Sequence, residues 1–379
     1  MFAFLVFVIV APYSCSSIYD FPESKPFTGN QLYNPYEQNS GSWLKSNFHA
    51  HSRAWVGFSD GDLSPMQVDS IYNSFGYAIR PISNYMHVTP PFHKDSFYLP
   101  LIERGYSVFK RHQGMIGVRE VVWLDFFLYQ NIHHKQHILK LVDAKTDFTV
   151  LHHPEFMRGY EPEDFKYLTD YDFIEVLNHY RTSEHHWDTT LSAGRAVFGI
   201  GSDDSHDQRK PDETARFWTM IKSNEREKTQ IYNAMRSGNM YMVRGHRGFN
   251  DVELKEVKTL NDTLLIVFTG KVKEFKFIGQ GGKTLAKVTE NDSAMYVFNQ
   301  GDTYVRTEVK SDSCDIFLQP IFRHSGEPFP VYSATVNYPA TWAYRISFIM
   351  FFIVFFYALL AYFVVIQKRN KFGRFNSPD

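Results

Sequence analysis

Between about residues 43 and 248, short apolar or β-branched runs end in polar residues and are separated by longer mixed stretches. The runs are 44–48, 77–82, 115–122, 148–151, 172–177 and 196–200. Their spacing, mostly about 20 to 40 residues, suits a βα unit rather than a hairpin. Helix signals fall between them. Ser64-Pro65-Met66-Gln67 combines an N-cap, a proline in the first turn and a capping-box glutamine, and Gly76 supplies the stop. Thr182/Ser183 to Gly194 and Asn224 to Gly238 repeat a polar start and a glycine stop. The alternation predicts a parallel α/β fold, with a β/α barrel as its favoured version.

After Gly248 the texture changes. Strand-like runs at 252–257, 264–268, 274–278, 295–298, 304–309 and 315–322 are separated by Asn-Asp, Gly-Gly and Gly-Asp turns. Over 249–335 this predicts a small antiparallel β-sandwich. Residues 346–366 then run for 21 positions without a charge. At about 1.5 Å per residue they match a bilayer's hydrocarbon layer, so one transmembrane helix is expected. The basic tail 367–379 should stay on the cytoplasmic side, which places the body of this single-pass chain outside the cytoplasm. The opening stretch MFAFLVFVIVA is apolar but short. Residues 1–18 therefore read as a signal peptide or a short N-terminal anchor, with lipidation of Cys15 an alternative.

Charge adds little to that picture. The 40 basic and 41 acidic side chains cancel, and no zinc-finger or RNA-binding pattern is present, so no nucleic-acid partner is expected. The two cysteines, Cys15 and Cys314, exclude both a disulfide framework and a cysteine-based metal cluster.

Candidate chemistry gathers at the ends of the runs. In Asn47-Phe48-His49-Ala50-His51-Ser52, the i, i+2 spacing on a strand aims both imidazoles one way. Asp204 and His206 have the same spacing in Gly201-Ser202-Asp203-Asp204-Ser205-His206-Asp207, where Asp203 or Asp204 could equally cap a turn. Mixed carboxylate and imidazole donors suit Zn, Mn or Fe better than Mg or Ca. Glu120, His152-His153-Pro154, Glu175 and Asn178 close the runs between. His133 and His137, at i, i+4, read as a solvated helix face. Arg158, Arg181 and Arg216 flank run ends and could clamp a phosphate.

The ordered series NFHAHS, FSDG, GVREV, LHHP, EVLN and GSDDSHD resembles the motifs of the polymerase-and-histidinol-phosphatase (PHP) superfamily over about residues 43 to 248. That resemblance implies a distorted β/α barrel with a centre of two or three metals, and hydrolysis of phosphate esters. It assigns His49, His51, Asp60, Glu120, His153, Asp204 and His206 to the metals, with Glu120 bridging two of them. His206, Asp204 and His185 are then expected in catalysis, and Arg158, Arg181 and Tyr85 against a small phosphorylated substrate. One motif departs from the family. Ser83-Asn84-Tyr85 stands where Thr-Asp-His is common, and a phenol with pKa near 10 is a poor ligand. Two divalent ions are therefore expected rather than three. Two rival readings remain: hydrolysis of a carboxyl ester or amide by the same centre, and a catalytically decayed barrel serving as a binding module.

Overall fold

The computed structural model describes residues 9–37, 41–57, 59–92 and 97–375, with the backbone alone at 57, 59, 60 and 368–375. The local helix signals act as their chemistry dictates. Ser64 accepts a hydrogen bond from the Gln67 amide while the Gln67 side chain accepts from that of Ser64, and helix α1 (Pro65–Ser74) follows. Helix α2 (Ile132–Asp143) opens on an equivalent exchange between Asn131 and His134. Helix α3 (Glu184–Ser192) and helix α4 (Lys228–Ser237) fill the other two predicted positions. Gly238 ends α4 at φ +73°, where any side chain would strike the Phe198 ring.

One sheet has five strands: β2 (Leu101–Arg104), β3 (Gln113–Ile116), β4 (Phe148–Leu151), β5 (Phe173–Leu177) and β6 (Phe198–Gly201), in spatial order β6-β5-β4-β3-β2. Only β6/β5 and β5/β4 are parallel. The 105–112 loop is too short for a helical crossover, so β3 returns antiparallel to β2 and also runs against β4.

The larger sheet begins with β1 (Ser42–Ser46), which pairs with β7 (Phe217–Ser223), and β7 pairs with β8 (Met240–Arg244). The sheet does not stop there. Strands β9 (Leu254–Leu260), β10 (Thr263–Gly279), β11 (Lys283–Val297), β12 (Tyr304–Lys310), β13 (Asp315–Leu318) and β14 (Ile321–His324) complete it with Gln31–Tyr33. β13 lies directly against β8, with Met242 opposite Phe317.

Two expectations change here. Among the described residues no sheet closes into a barrel; parallel single-residue bridges at Ser46–Ile79, Tyr85–Glu103 and Ala50–Ser205 link the segments instead. The boundary expected near residue 249 also falls inside one sheet rather than between two domains. β8 would otherwise present an unpaired edge, and β13 covers it. The cores are shared accordingly: Tyr72, Trp218 and Tyr241 pack in one cluster with Phe275 and Ile316.

At the C-terminus, helix α5 (Tyr338–Phe375) contains one stretch, Tyr338–Gln367, long and apolar enough to cross a membrane. Its most apolar window has a mean hydropathy of 2.8 and is not buried in the protein. Residues 1–8 of the expected signal peptide or anchor lie outside the described residues. The rest of that stretch is packed: Tyr13 lies 5.1 Å from the rings of Phe126 and His134. Residues Tyr19–Asp20 pair with Thr335–Val336. His133 and His137 are consequently not a solvated face. His133 Nδ1 accepts from the Tyr19 amide, and His137 Nδ1 meets the Tyr19 hydroxyl at 2.8 Å.

Candidate metal centre

Chain direction explains why distant residues meet at one edge of the small sheet. Glu103 lies near the C-terminal end of β2, Glu175 within β5, and His152 and His153 just past β4. Because β3 is antiparallel, its start, just after His112, reaches that same edge. His152 donates its amide to the His112 carbonyl there. The segment after β1 runs beside the segment after β6, with Asp204 N bonded to His49 O (2.8 Å) and His51 N bonded to Ser205 O (2.9 Å).

His49 and His51 share a direction, as their spacing requires. His49 Nε2 lies 3.1 Å from Asp204 Oδ1 and 3.3 Å from Glu103 Oε1. His51 Nε2 lies 3.2 Å from Asp204 Oδ1 and 3.3 Å from Glu103 Oε2. The same Glu103 Oε1 also meets His112 Nδ1 at 2.6 Å and His153 Nε2 at 3.1 Å. Two donor sets result, His49–His51–Glu103–Asp204 and Glu103–His112–His153, with Glu103 common to both. A third set, His49–His152–Glu175, draws on His49 again. His49 Nδ1 meets Glu175 Oε1 at 3.0 Å, so Glu175 orients the ring and, in the neutral imidazole, holds the proton on Nδ1 and leaves Nε2 for a cation.

The donor atoms fit a cation better than they fit each other. His49 Nε2, Glu103 Oε2 and Asp204 Oδ1 are buried without a hydrogen-bond partner, a costly arrangement unless something else satisfies them. Their neighbours lie within about 3.3 Å, yet the atoms converge on common points instead of aligning donor to acceptor. Two residues here hold sparsely populated backbone conformations, Asp204 at φ +52° and His153 at φ +30°.

The charges are strongly coupled. Burial favours neutral imidazole at His51, but the Asp204 and Glu103 carboxylates prevail and raise it to about 9. His49 is raised well above its usual value by Asp204, Glu103 and Glu175 against the same burial. Burial works against the Glu103 carboxylate, yet His112 and His49 hold it well below the ordinary range. His152 is lowered to about 4 by burial and by His49, whose ring stacks on it at 3.9 Å.

Surrounding residues explain several motif positions. Asp203 accepts from the amides of Ala215, Arg216 and Phe217 and from the Tyr72 hydroxyl, so it holds a loop while its neighbour Asp204 faces the centre. Asn178 donates to Glu175 and to Asp204. Gly61 lies against the backbone of His51 and Ser52, where a Cβ would collide. Asn84 braces Ser52 through both its amide ends. Tyr85, beside it, sets its ring 4.8 Å from His51 and 5.2 Å from His112 and so borders the centre. His206 stacks on His51 at 4.3 Å and is the most exposed of the group, its side chain 29% accessible.

The structure therefore brings His49, His51, His153, Asp204 and His206 together and leaves other expected residues outside. Glu120 is on the surface, paired with Lys145. The run 115–122 does not form a strand to its end: β3 stops at Ile116, and the chain turns outward before Glu120. Glu103 is the carboxylate common to two of the donor sets. Its signal was the apolar Leu101-Ile102 ending in a carboxylate, as the other runs end in polar residues. His112 carried no motif of its own. His185 is exposed and lines a separate cleft with Lys166, Thr189 and Gln280. Arg158 pairs with Glu161 at the surface, and the exposed Arg181 bonds the Tyr180 carbonyl. Arg216 is tied to the Gly245 carbonyl. The side chain of Asp60 lies outside the described residues; its backbone pairs with Arg53.

No family model matches the chain, and no curated protein matches it. Among solved structures it is similar to a two-domain protein from Bacteroides vulgatus ATCC 8482 containing a predicted PHP-like metal-dependent phosphoesterase. That similarity has 16% identity and a TM-score of 0.43, and covers 79% of this chain and all of the other. So loose a likeness carries no argument; the donor set has to.

Proposed function

We propose that this chain is a PHP-type, divalent-metal-dependent hydrolase of phosphate esters, tethered to a membrane by α5. The observation that carries this reading is Glu103, a buried carboxylate shared by two donor sets. Its Oε1 lies within 3.3 Å of His49, His112 and His153, and its Oε2 lies beside His51 without a hydrogen-bond partner. His49, His51, Glu103 and Asp204 would hold one ion, and Glu103, His112 and His153 a second. Imidazole with carboxylate favours Zn, Mn or Fe. Bound there, the ions would lower the pKa of water and polarise the phosphoryl oxygens.

The chain's own groups supply the rest. Glu175 keeps the lone pair of a neutral His49 on Nε2. His206 is lowered by burial and by neighbouring His51, so it is neutral near pH 7. Its Nδ1 meets the Asp204 carbonyl at 3.1 Å, which places the lone pair on Nε2 and allows that atom to accept a proton from the attacking water. The water oxygen bonds to phosphorus as the ester P–O bond breaks, and the leaving alkoxide takes up the proton that His206 removed from the water. Tyr85 forms one wall of the reaction space.

The test is elemental analysis of the purified full chain, followed by turnover of phosphomonoesters, phosphodiesters and carboxyl esters. About two divalent ions per chain are expected, with phosphate esters as the substrates cleaved. His49→Ala with His51→Ala should remove both metal and turnover. Full turnover by metal-free protein would sink the proposal, and cleavage of carboxyl esters alone would overturn the assignment to phosphorus.

A further inference from the structure

A band of exposed aromatic and aliphatic side chains runs between the metal centre and the root of the membrane helix. It starts at Tyr85, whose carbonyl accepts from Trp55 Nε1 at 2.8 Å. Trp55 lies 6.3 Å from Trp123, and the Trp123 carbonyl accepts from the Tyr106 hydroxyl. Val108 N bonds Phe127 O, and Leu128 N bonds the Tyr13 hydroxyl at 2.9 Å. Tyr13 O in turn accepts from Tyr344 on α5, one turn before Phe348. The path runs through backbone as well as side-chain atoms, passes from Tyr106 to Val108 along the chain, and has half-buried Tyr85, Tyr13 and Tyr344 at its two ends.

The side chains along it face outward against the usual preference. Trp123 is 58% exposed and Tyr129 68% exposed, with Phe127 and Leu128 exposed between them. Asp125, in the same stretch, is turned inward and accepts from Tyr106 N, Phe126 N and Gln130 Nε2. A water-facing loop would show the carboxylate and hide the rings. Val56, wholly exposed beside Trp55, is held at φ +58°, a conformation that β-branched residues rarely adopt. Contiguous exposed apolar surface of this kind marks a contact with something apolar. The body end of α5 identifies what. Trp342 is exposed there and Arg345 lies over its ring, the residue types that settle at a lipid–water boundary. A cation also accompanies the band: Lys110 Nζ sits 5.8 Å from the Tyr85 ring.

We infer that the band rests in the interfacial layer of the membrane α5 crosses, and that the centre acts on a lipid of that membrane. The phosphate-bearing headgroup enters past Tyr85 and Lys110 while the acyl chains stay in the bilayer. Water adds to phosphorus, the headgroup P–O ester bond breaks, and the leaving alkoxide takes up the proton the water gives up. This inference rests on the hydrolase reading above and names its substrate class.

The full chain is reconstituted in phosphatidylcholine vesicles carrying phosphatidic acid or phosphatidylglycerol. Release of phosphate, glycerol or glycerol phosphate is compared with turnover of the soluble p-nitrophenyl and bis-p-nitrophenyl phosphates. Trp123→Ser with Leu128→Ser should lower lipid turnover by about tenfold or more. Metal content and soluble-ester turnover should stay within about twofold of the parent, since neither side chain belongs to the donor sets. In parallel, brominated phosphatidylcholine should quench an emission component that is missing in Trp123→Phe. Soluble-ester turnover with no lipid turnover, or lipid turnover insensitive to the double substitution, overturns this inference and leaves the hydrolase reading standing. No turnover of any ester by metal-loaded protein overturns the hydrolase reading, and the quenching experiment then still decides where the band lies: unquenched Trp123 refutes membrane contact.

Discussion

Glu103 and His112 meet at 2.6 Å, Oε1 to Nδ1, across the tight return between two antiparallel strands. That pair, joined by His153, makes Glu103 a member of two donor sets at once. Its replacement by the neutral, isosteric glutamine in Glu103→Gln should remove the shared negative charge and lower metal content to about one ion or none. Turnover should fall by about 100-fold or more. Glu120→Gln, at the surface, should change neither. Metal analysis and kinetics of both variants check this, and equal losses in the two would refute the placement of Glu103.

Glu175 hydrogen-bonds the centre through His49 and the amide groups of Asn178 and His153, and shares a donor set with His152. In Glu175→Gln the buried histidine loses its fixed tautomer, so metal affinity should drop by about 10- to 100-fold. The fold should hold, because a glutamine oxygen can still accept from the His153 amide. Competition with a chelator measures the affinity, and circular dichroism checks the fold.

Asp172 sits far from the centre, accepting from the Thr149 amide, and burial raises its carboxyl to about 7. A carboxyl raised above its unfolded value near 3.9 contributes its full stability below that value. The contribution is lost as pH rises toward 7 and stays lost above it. Asp172→Asn, which can still accept the same hydrogen bond, should be close to neutral at pH 4. At pH 8 it should stabilise the fold by about 1–2 kcal/mol, less than three full pH units imply, because the group keeps some contact with water. Thermal unfolding across pH 4 to 8 reads the difference, and a gain at pH 4 equal to that at pH 8 would refute it.

Arg306 pins the large sheet to helix α3. It bonds both oxygens of Asp188 at 2.7 Å and Glu308 at 2.6 Å, all buried. Arg306→Met leaves the buried Asp188 carboxylate with only the Tyr304 hydroxyl and Glu308 with Lys276, and should cost about 3 kcal/mol. Chemical denaturation measures it, and a loss below about 1 kcal/mol would show that the network relaxes.

The chain's local order is legible in its sequence. The capping box at Ser64, the stop at Gly238 and the apolar stretch inside α5 each depend on residues within a few positions of one another. Sequence spacing determines such interactions directly. The same holds for His49 with His51 and Asp204 with His206, since strand geometry alone aims alternate side chains together. Sequence therefore determined which residues could act as pairs.

Which pairs meet was decided elsewhere. Glu120 carried a motif and Glu103 did not, yet Glu103 reaches the centre because β3 turns back after an eight-residue loop and ends at Ile116. The union of β8 with β13 was equally invisible, since partners about 75 positions apart leave no local trace and pair only when an open edge is there to be covered. Strand order and direction come from long-range packing of the whole chain. A periodic pattern records only which way each side chain faces within its own element.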